Sequence, residues 1–158
     1  MLITVKPEPE NKTFPQANDI HKLIKYVDEK TFNYHYQNLR RVSLEYVERQ
    51  KSYYKSAANY LGLLKGSSST ELALHIFKKD KNEVLIDIVQ LILKNQIFFN
   101  YYKYKNIDET KNMLMQLYGL SYSTADRRTS TVKAWIDWCE HIIKENNISI
   151  EIKNKEHK

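Results

Sequence analysis

Cysteine occurs once, at Cys139, in a chain of 158 residues. No disulfide can form within it, and a lone thiol suits a reducing cytosol. Glycine and proline are nearly as scarce, three of each, and every proline falls within the first fifteen residues. With so few breakers downstream, a mainly helical chain is expected. No apolar run reaches the ~18 residues of a membrane span; the longest candidate, residues 84–93, is interrupted by Asp87 and Gln90. The start, Met-Leu-Ile-Thr-Val-Lys-Pro-Glu-Pro-Glu, has no positive segment ahead of an apolar core, so it does not read as a secretory signal. A cytoplasmic protein with no membrane partner is expected.

Catalytic patterns are equally sparse. There is no glycine-rich phosphate loop. His21, His35, His75, His141 and His157 are scattered, and Cys139 and His141 sit two apart on an expected helix, so they point in different directions and make a poor zinc pair. Cys139 falls on an apolar helix face, which suits a buried thiol better than a nucleophile. Glu151-Ile152-Lys153, on an expected strand, resembles the Glu-x-Lys element of metal-dependent nucleases. That chemistry also needs a carboxylate on a neighbouring strand, and Asp126 and Asp137 both fall on expected helix. No enzyme, metal or cofactor is expected.

What the chain does have is bulk, aromatic side chains and positive charge. Hydrophobic residues make up 42% and aromatic residues 12%, enough to build a core. The net charge is +6, a balance that favours polyanions such as nucleic acid.

Residues 1–18 read as an extended arm, with Leu2, Ile3 and Val5 able to add a short strand and Pro-Glu-Pro-Glu arguing for a loose lead-in. Ile20, Leu23, Ile24 and Val27 keep helical spacing behind Asn18 or Asp19 as cap. Residues 31–38 suggest a connection or short helix, and Leu39, Val42, Leu44 and Val47 suggest one or two more. Residues 48–61 form a longer helix with Tyr54, Ala58 and Leu61 on one face and Arg49, Ser52, Tyr53, Ser56 and Asn59 on the other. Gly62 ends it. Gly66-Ser67-Ser68-Ser69 then marks a turn. Two readings follow: a strand alternating at Leu72, Leu74 and Ile76, making a "wing", or a new helix capped at Ser69 or Thr70. Residues 84–99 read as one apolar helix, residues 101–105 as a Tyr-Lys connector packing at a domain junction or offering an aromatic-basic patch, and Asp108 as the cap of a helix carrying Met113, Leu114 and Leu117. After residue 144, Asn146-Asn147 makes a turn, Ile148 to Ile152 alternates like a strand, and residues 154–158 form a charged tail.

The most informative stretch is 121–138, Ser-Tyr-Ser-Thr-Ala-Asp-Arg-Arg-Thr-Ser-Thr-Val-Lys-Ala-Trp-Ile-Asp-Trp, which follows a short helix and a break at Gly119 and Leu120. A helix, a tight turn and a second helix opening on hydroxyl residues and arginines is how a DNA-reading helix-turn-helix reads. On a helical wheel, Ala125, Val132, Trp135, Ile136 and Cys139 face the core. Ser123, Asp126, Arg127, Ser130 and Lys133 face out, with Ser121 at the turn. Arg128 points toward the apolar stripe. Arg127 can pair with guanine, and Ser123, Ser130 and Lys133 can hold phosphates or read base edges; the alternative is a solvated Arg127 paired with Asp126 or Asp137. An offset of 74 residues lays 49–64 over 123–138 with matching apolar registers, either a duplicated unit or the chance likeness of two amphipathic helices. In the first copy, Asn59 can read adenine and Tyr53 can touch a phosphate or thymine methyl, or the face is simply solvated.

The stretches Tyr53-Tyr54-Lys55-Ser56-Ala57-Ala58-Asn59-Tyr60-Leu61-Gly62-Leu63-Leu64 and residues 118–135 resemble the two halves of a tandem winged-helix DNA-binding module. Such modules occur in prokaryotic restriction and other defence proteins, beside a nuclease or ATPase. The resemblance covers roughly residues 19–144, is specific at these two stretches, and departs from the family in residues 31–47. It implies a mainly α protein built of tandem winged helix-turn-helix units with short β-wings: a first unit over 19–80, a central helix plus second unit over 81–146, and a short strand and tail over 147–158. The expected partner is double-stranded DNA, with a nuclease or ATPase subunit or a second copy of the chain as further partners. A protein-docking module and a transcriptional repressor are the competing functions.

Overall fold

The computed structural model describes the backbone of residues 1–36 and 48–153, and the side chains of residues 1–32 and 50–153. The short helical elements expected around Leu39, Val42, Leu44 and Val47, the Arg49 side chain and the 154–158 tail lie outside these residues. Among the described residues the fold is mainly α. It has seven helices and two sheets of two strands each: β1 (Leu2–Ile3), α1 (Ile20–Tyr36), α2 (Glu48–Tyr60), β2 (Leu64–Lys65), β3 (Ser68–Ser69), α3 (Glu71–Phe77), α4 (Lys81–Leu93), α5 (Gln96–Tyr104), α6 (Ile107–Tyr118), α7 (Tyr122–Glu145) and β4 (Glu151–Ile152). The chain divides into two compact units, one of Met1–Asn11 with Leu85–Lys158, the other Lys12–Val84.

In the unit of residues 12–84, α1 opens on Asp19, whose carboxylate accepts the Lys22 N–H at 3.1 Å. Ile20, Leu23 and Val27 are buried, as their helical spacing requires. The helix runs on through residues 31–36 across a kink at Phe32 (φ −113°, ψ 18°). α2 buries Tyr54, Ala57, Ala58 and Tyr60, with Leu61 just beyond, and Phe14 meets the Tyr60 ring edge-on at 5.5 Å. Gly62 follows α2 in the left-handed region (φ 79°), which an L side chain would strain.

Both readings of residues 63–77 hold in part. β2 and β3 pair antiparallel around Gly66-Ser67. Directly afterwards Thr70 caps α3, its hydroxyl accepting the Ala73 N–H at 3.2 Å. Leu72, Leu74 and Ile76 are therefore helical and not a strand. The hydroxyls of Thr31 and Ser69, 2.5 Å apart, tie the hairpin to α1.

In the other unit, the expected single helix over 84–99 is two helices. Asn95 between them has an extended backbone (φ −87°, ψ 132°). A nonlocal segment stabilises the break: the Lys6 N–H donates to the Lys94 carbonyl at 2.8 Å, and the Gln96 N–H donates to the Lys6 carbonyl at 3.1 Å, so backbone groups freed by the interruption stay paired. Residues 101–104, expected as connector, complete α5, which closes on Lys105 in the left-handed conformation (φ 53°, ψ 32°). The cap of α6 is Asn106, accepting the Glu109 N–H at 3.0 Å; Asp108 sits in the first turn, where its charge suits the helix dipole. Of the expected core residues of α6, Leu114 is buried but Leu117 is exposed.

The arm is docked for residues 1–11. β1 pairs in parallel with β4, and the Glu8 carboxylate accepts from the Ile97 N–H at 2.8 Å and the Tyr118 hydroxyl at 2.7 Å. It thus satisfies the first turn of α5 from outside the helix. The strand after α7 spans only residues 151–152. It is joined to the start of the chain, not folded back as a hairpin.

The core of this unit centres on Trp135 of α7, fully buried and stacked on Phe98 of α5 (ring centroids 4.9 Å apart, planes 16° apart). Ile88, Ile92, Ile97, Leu114, Val132 and Ile136 are fully buried too. Together they fix α7 by its apolar stripe and leave its other face to solvent.

Candidate nucleic-acid interface

The candidate surface begins at the turn between α6 and α7. Gly119 ends α6 in the left-handed conformation (φ 63°, ψ 27°), which glycine adopts without strain and which reverses the chain within one residue. Leu120 follows. Ser121 then caps α7, its hydroxyl accepting the Thr124 N–H at 3.2 Å. Two helices joined by a three-residue turn, with the second opening on a serine cap, is the order read from the sequence.

The apolar side of α7 is wider than the wheel suggests. Ala125, Thr129, Val132, Trp135, Ile136, Cys139 and Ile142 are buried, and Thr131 as well. Thr129 is accommodated there because its hydroxyl donates back to the Asp126 carbonyl at 2.6 Å, so burial leaves no hydroxyl unpaired. Burial pushes the Cys139 thiol well above its ordinary value, with the Glu140 charge adding to the effect.

On the other side, Ser121, Ser123, Asp126, Arg127, Ser130 and Lys133 are all exposed. Arg127 donates to the Thr124 hydroxyl at 3.3 Å, and no carboxylate among the described residues pairs with it. The pairing with Asp126 or Asp137 considered from the sequence is not formed. Ser130 donates to the Arg127 carbonyl at 2.8 Å. Arg128 is half-buried, in keeping with its place near the apolar stripe.

Asp126 has a different partner, one the sequence reading missed. Lys111 of α6 lies 3.0 Å from the Asp126 carboxylate, donates to the Tyr122 hydroxyl at 3.0 Å, and sits 4.6 Å from the centroid of the Tyr122 ring. Lys111 is only 8% exposed, while Tyr122 is 62% exposed. The Tyr122 hydroxyl, then the Asp126 carboxylate, hold the Lys111 ammonium above its ordinary range. Nothing in the run Asp108 to Leu117 sets Lys111 apart from a solvated lysine. Its partners lie 11 and 15 residues downstream, across the turn.

The charges on α7 are ordered along its axis. Arg127, Arg128 and Lys133 outnumber Asp126 in its first half, and Asp137, Glu140 and Glu145 outnumber Lys144 in its second. A helix dipole favours the reverse order, so helix stability does not explain the arrangement. With Asp126 held by Lys111, positive charge collects at the end of α7 where the unpaired N–H groups point, a setting that attracts anions.

The first-copy residues separate. Ser52 is exposed, and Tyr53 and Ser56 are half-buried on α2. Asn59 is committed elsewhere: its amide donates to the carbonyls of Lys55 (2.9 Å) and Gly66 (3.0 Å), and its oxygen accepts the Gly66 N–H at 2.9 Å. It holds the β2–β3 turn with both amide N–H groups used, so no donor is left for the bidentate pair with adenine. The aligned registers do share burial, Ala57 and Thr131, Ala58 and Val132, Leu61 and Trp135 all being buried.

The Tyr-Lys segment is mixed. Tyr101 is buried and Lys105 is bound to Glu140 at 2.5 Å, while Lys103 and Tyr104 are exposed. Glu151 lies on exposed β4, and the strand paired with it, β1 (Leu2–Ile3), carries no carboxylate. Among the described residues no three His, Cys, Asp or Glu side chains gather as a metal site, and no helix is long and apolar enough to cross a membrane.

Residues 20–144 match the model of a domain of unknown function, DUF7226, and the chain belongs to that family. No curated protein and no solved structure matches it.

Proposed function

We propose that this protein binds double-stranded DNA, with the first turns of α7 as the main contact. One observation carries the reading. Behind a capped three-residue turn, α7 offers Ser123, Arg127, Ser130 and Lys133 to solvent, while the single acid among them, Asp126, is bound by Lys111. An exposed arginine with no carboxylate partner among the described residues, on the face opposite a buried stripe, suits insertion into a major groove. The net charge of +6 supplies the sequence-independent attraction.

In the finer form of this reading the protein is a tandem winged helix-turn-helix module. Residues 12–84 contribute Ser52, Tyr53, Ser56 and Arg49 from α2 with the β2–β3 hairpin as a wing, and the whole serves as the DNA-recognition part of a cytoplasmic restriction-type defence system beside a nuclease or ATPase. The resemblance of residues 53–64 and 118–135 to such modules supports it. The test is duplex-DNA binding at two salt concentrations, wild type against Arg127→Ala. Expected are a steep fall of affinity with salt and a loss of ~1–3 kcal/mol in the variant if Arg127 reads a base. No binding at low salt would overturn the DNA reading, and an unchanged affinity in the variant would move the contact off α7.

A second reading is a docking module, for a partner protein or a second copy of the chain. It is favoured by the exposure of Leu72 and Leu74 on α3, 37% and 39%. A monomer in solution with no concentration dependence would count against the self-association form.

A further inference from the structure

Lys111 and its two partners do more than join α6 to α7. A bare Asp126 carboxylate next to Arg127 would oppose DNA phosphates at the very turn that must approach them, and like charges brought together at an interface are costly. Lys111 removes that opposition from behind. The Lys111 side chain is largely buried between the two helices, and its ammonium is engaged by Asp126 at 3.0 Å and the Tyr122 hydroxyl at 3.0 Å. The same ammonium lies 4.6 Å from the Tyr122 ring centroid and so fixes an exposed aromatic side chain at the first position of α7.

Resting on the DNA reading above, we infer that Lys111 is a positioning residue for the anion-facing end of α7. It neutralises Asp126 and holds Tyr122, leaving Arg127 and Lys133 as the uncompensated charges that meet the nucleic-acid backbone. Tyr122 is thereby a preorganised contact residue that the sequence pattern did not single out.

The experiment compares wild type with Lys111→Met, Lys111→Arg, Asp126→Asn and the double variant Lys111→Met with Asp126→Asn. Duplex-DNA affinity is measured at two salt concentrations, and amide hydrogen exchange over residues 122–130 is followed without DNA. Lys111→Met should weaken binding about five- to tenfold. Lys111→Arg should keep most of the affinity, and the double variant should regain most of what Lys111→Met loses, because removing the exposed carboxylate makes its neutralisation unnecessary. A merely structural role predicts no such recovery. Wild-type affinity in Lys111→Met, or no recovery in a double variant whose exchange is native, would overturn the inference while leaving the DNA reading intact. No binding by the wild type would sink the DNA reading instead. The inference, which rests on that reading, then falls with it.

Discussion

Arg127 and Arg128 are chain neighbours with different surroundings, one exposed and one half-buried, and the wheel drawn from apolar spacing separates them. Residues whose environment is set within one helix were legible in this way, including Val132, Trp135, Ile136 and Cys139. Residues whose role depends on a partner far along the chain were not. Asn59 looks like an adenine reader because nothing local shows that Gly66 will return to its amide. Lys111 looks solvated for the same reason. Trp135 permits a direct stability prediction. Fully buried and stacked on Phe98, it should cost about 3–5 kcal/mol when changed to alanine, read as a lower urea midpoint with little change in slope. Cys139 permits a pH prediction. Because burial raises its pKa, the folded state keeps the thiol proton longer than the unfolded chain does. Its contribution to stability is therefore full below the ordinary thiol value of about 8.5 and declines as pH rises above it. Cys139→Ala should flatten the alkaline fall in denaturation free energy, and a thiol reagent should label the wild type only once denaturant unfolds it. Rapid labelling of the native protein would show the thiol to be accessible.

Among the elements, α7 and its entry turn were the most legible, since Gly119, the Ser121 cap and a long periodic stripe agree with one another. The break between α4 and α5 was hidden. Residues 84–99 are strongly apolar, and no glycine or proline marks Asn95. The interruption is held by Lys6, almost ninety residues earlier in the chain, and local propensity carries no trace of it. Pro-Glu-Pro-Glu misled in the opposite direction, since proline marks irregular backbone but not whether that backbone is docked. Glu8 does the docking, through the Ile97 N–H and the Tyr118 hydroxyl. Glu8→Ala should leave both donors without their carboxylate and cost about 1–3 kcal/mol. Hydrogen exchange should speed at the Ile97 amide and along β1 before it changes in residues 12–84. Unchanged exchange at Ile97 would mean the arm is held by its backbone pairing alone. At the α6–α7 turn, Gly119→Ala places a Cβ in open space but at φ 63°, so the cost is conformational, about 1–2 kcal/mol, without a steric clash.

For the whole molecule, the proposed DNA binding has two forms, contact by α7 alone or by α2 and α7 together. The 74-residue offset pairs α2 with the first half of α7, and their buried positions coincide, but apolar register is what any two amphipathic helices share. Charge offers a sharper test, because every phosphate that a side chain neutralises adds a countable amount to the salt dependence. The slope of log K against log salt is about −0.9 per phosphate neutralised, so removing one contacting lysine or arginine reduces it by about one. Lys55 on α2 and Lys133 on α7 are both exposed. Under tandem reading, Lys55→Ala and Lys133→Ala should each reduce the slope by about one, and the double variant by about two. Under reading by α7 alone, Lys55→Ala should leave the slope untouched and the double variant should match Lys133→Ala. The measurement separates the two because a lysine that only adds to the distant field, beyond a Debye length of about 8 Å at physiological salt, is screened and releases no counterion. A slope unmoved by either substitution would show that neither lysine neutralises a phosphate and would place the backbone contacts on other residues.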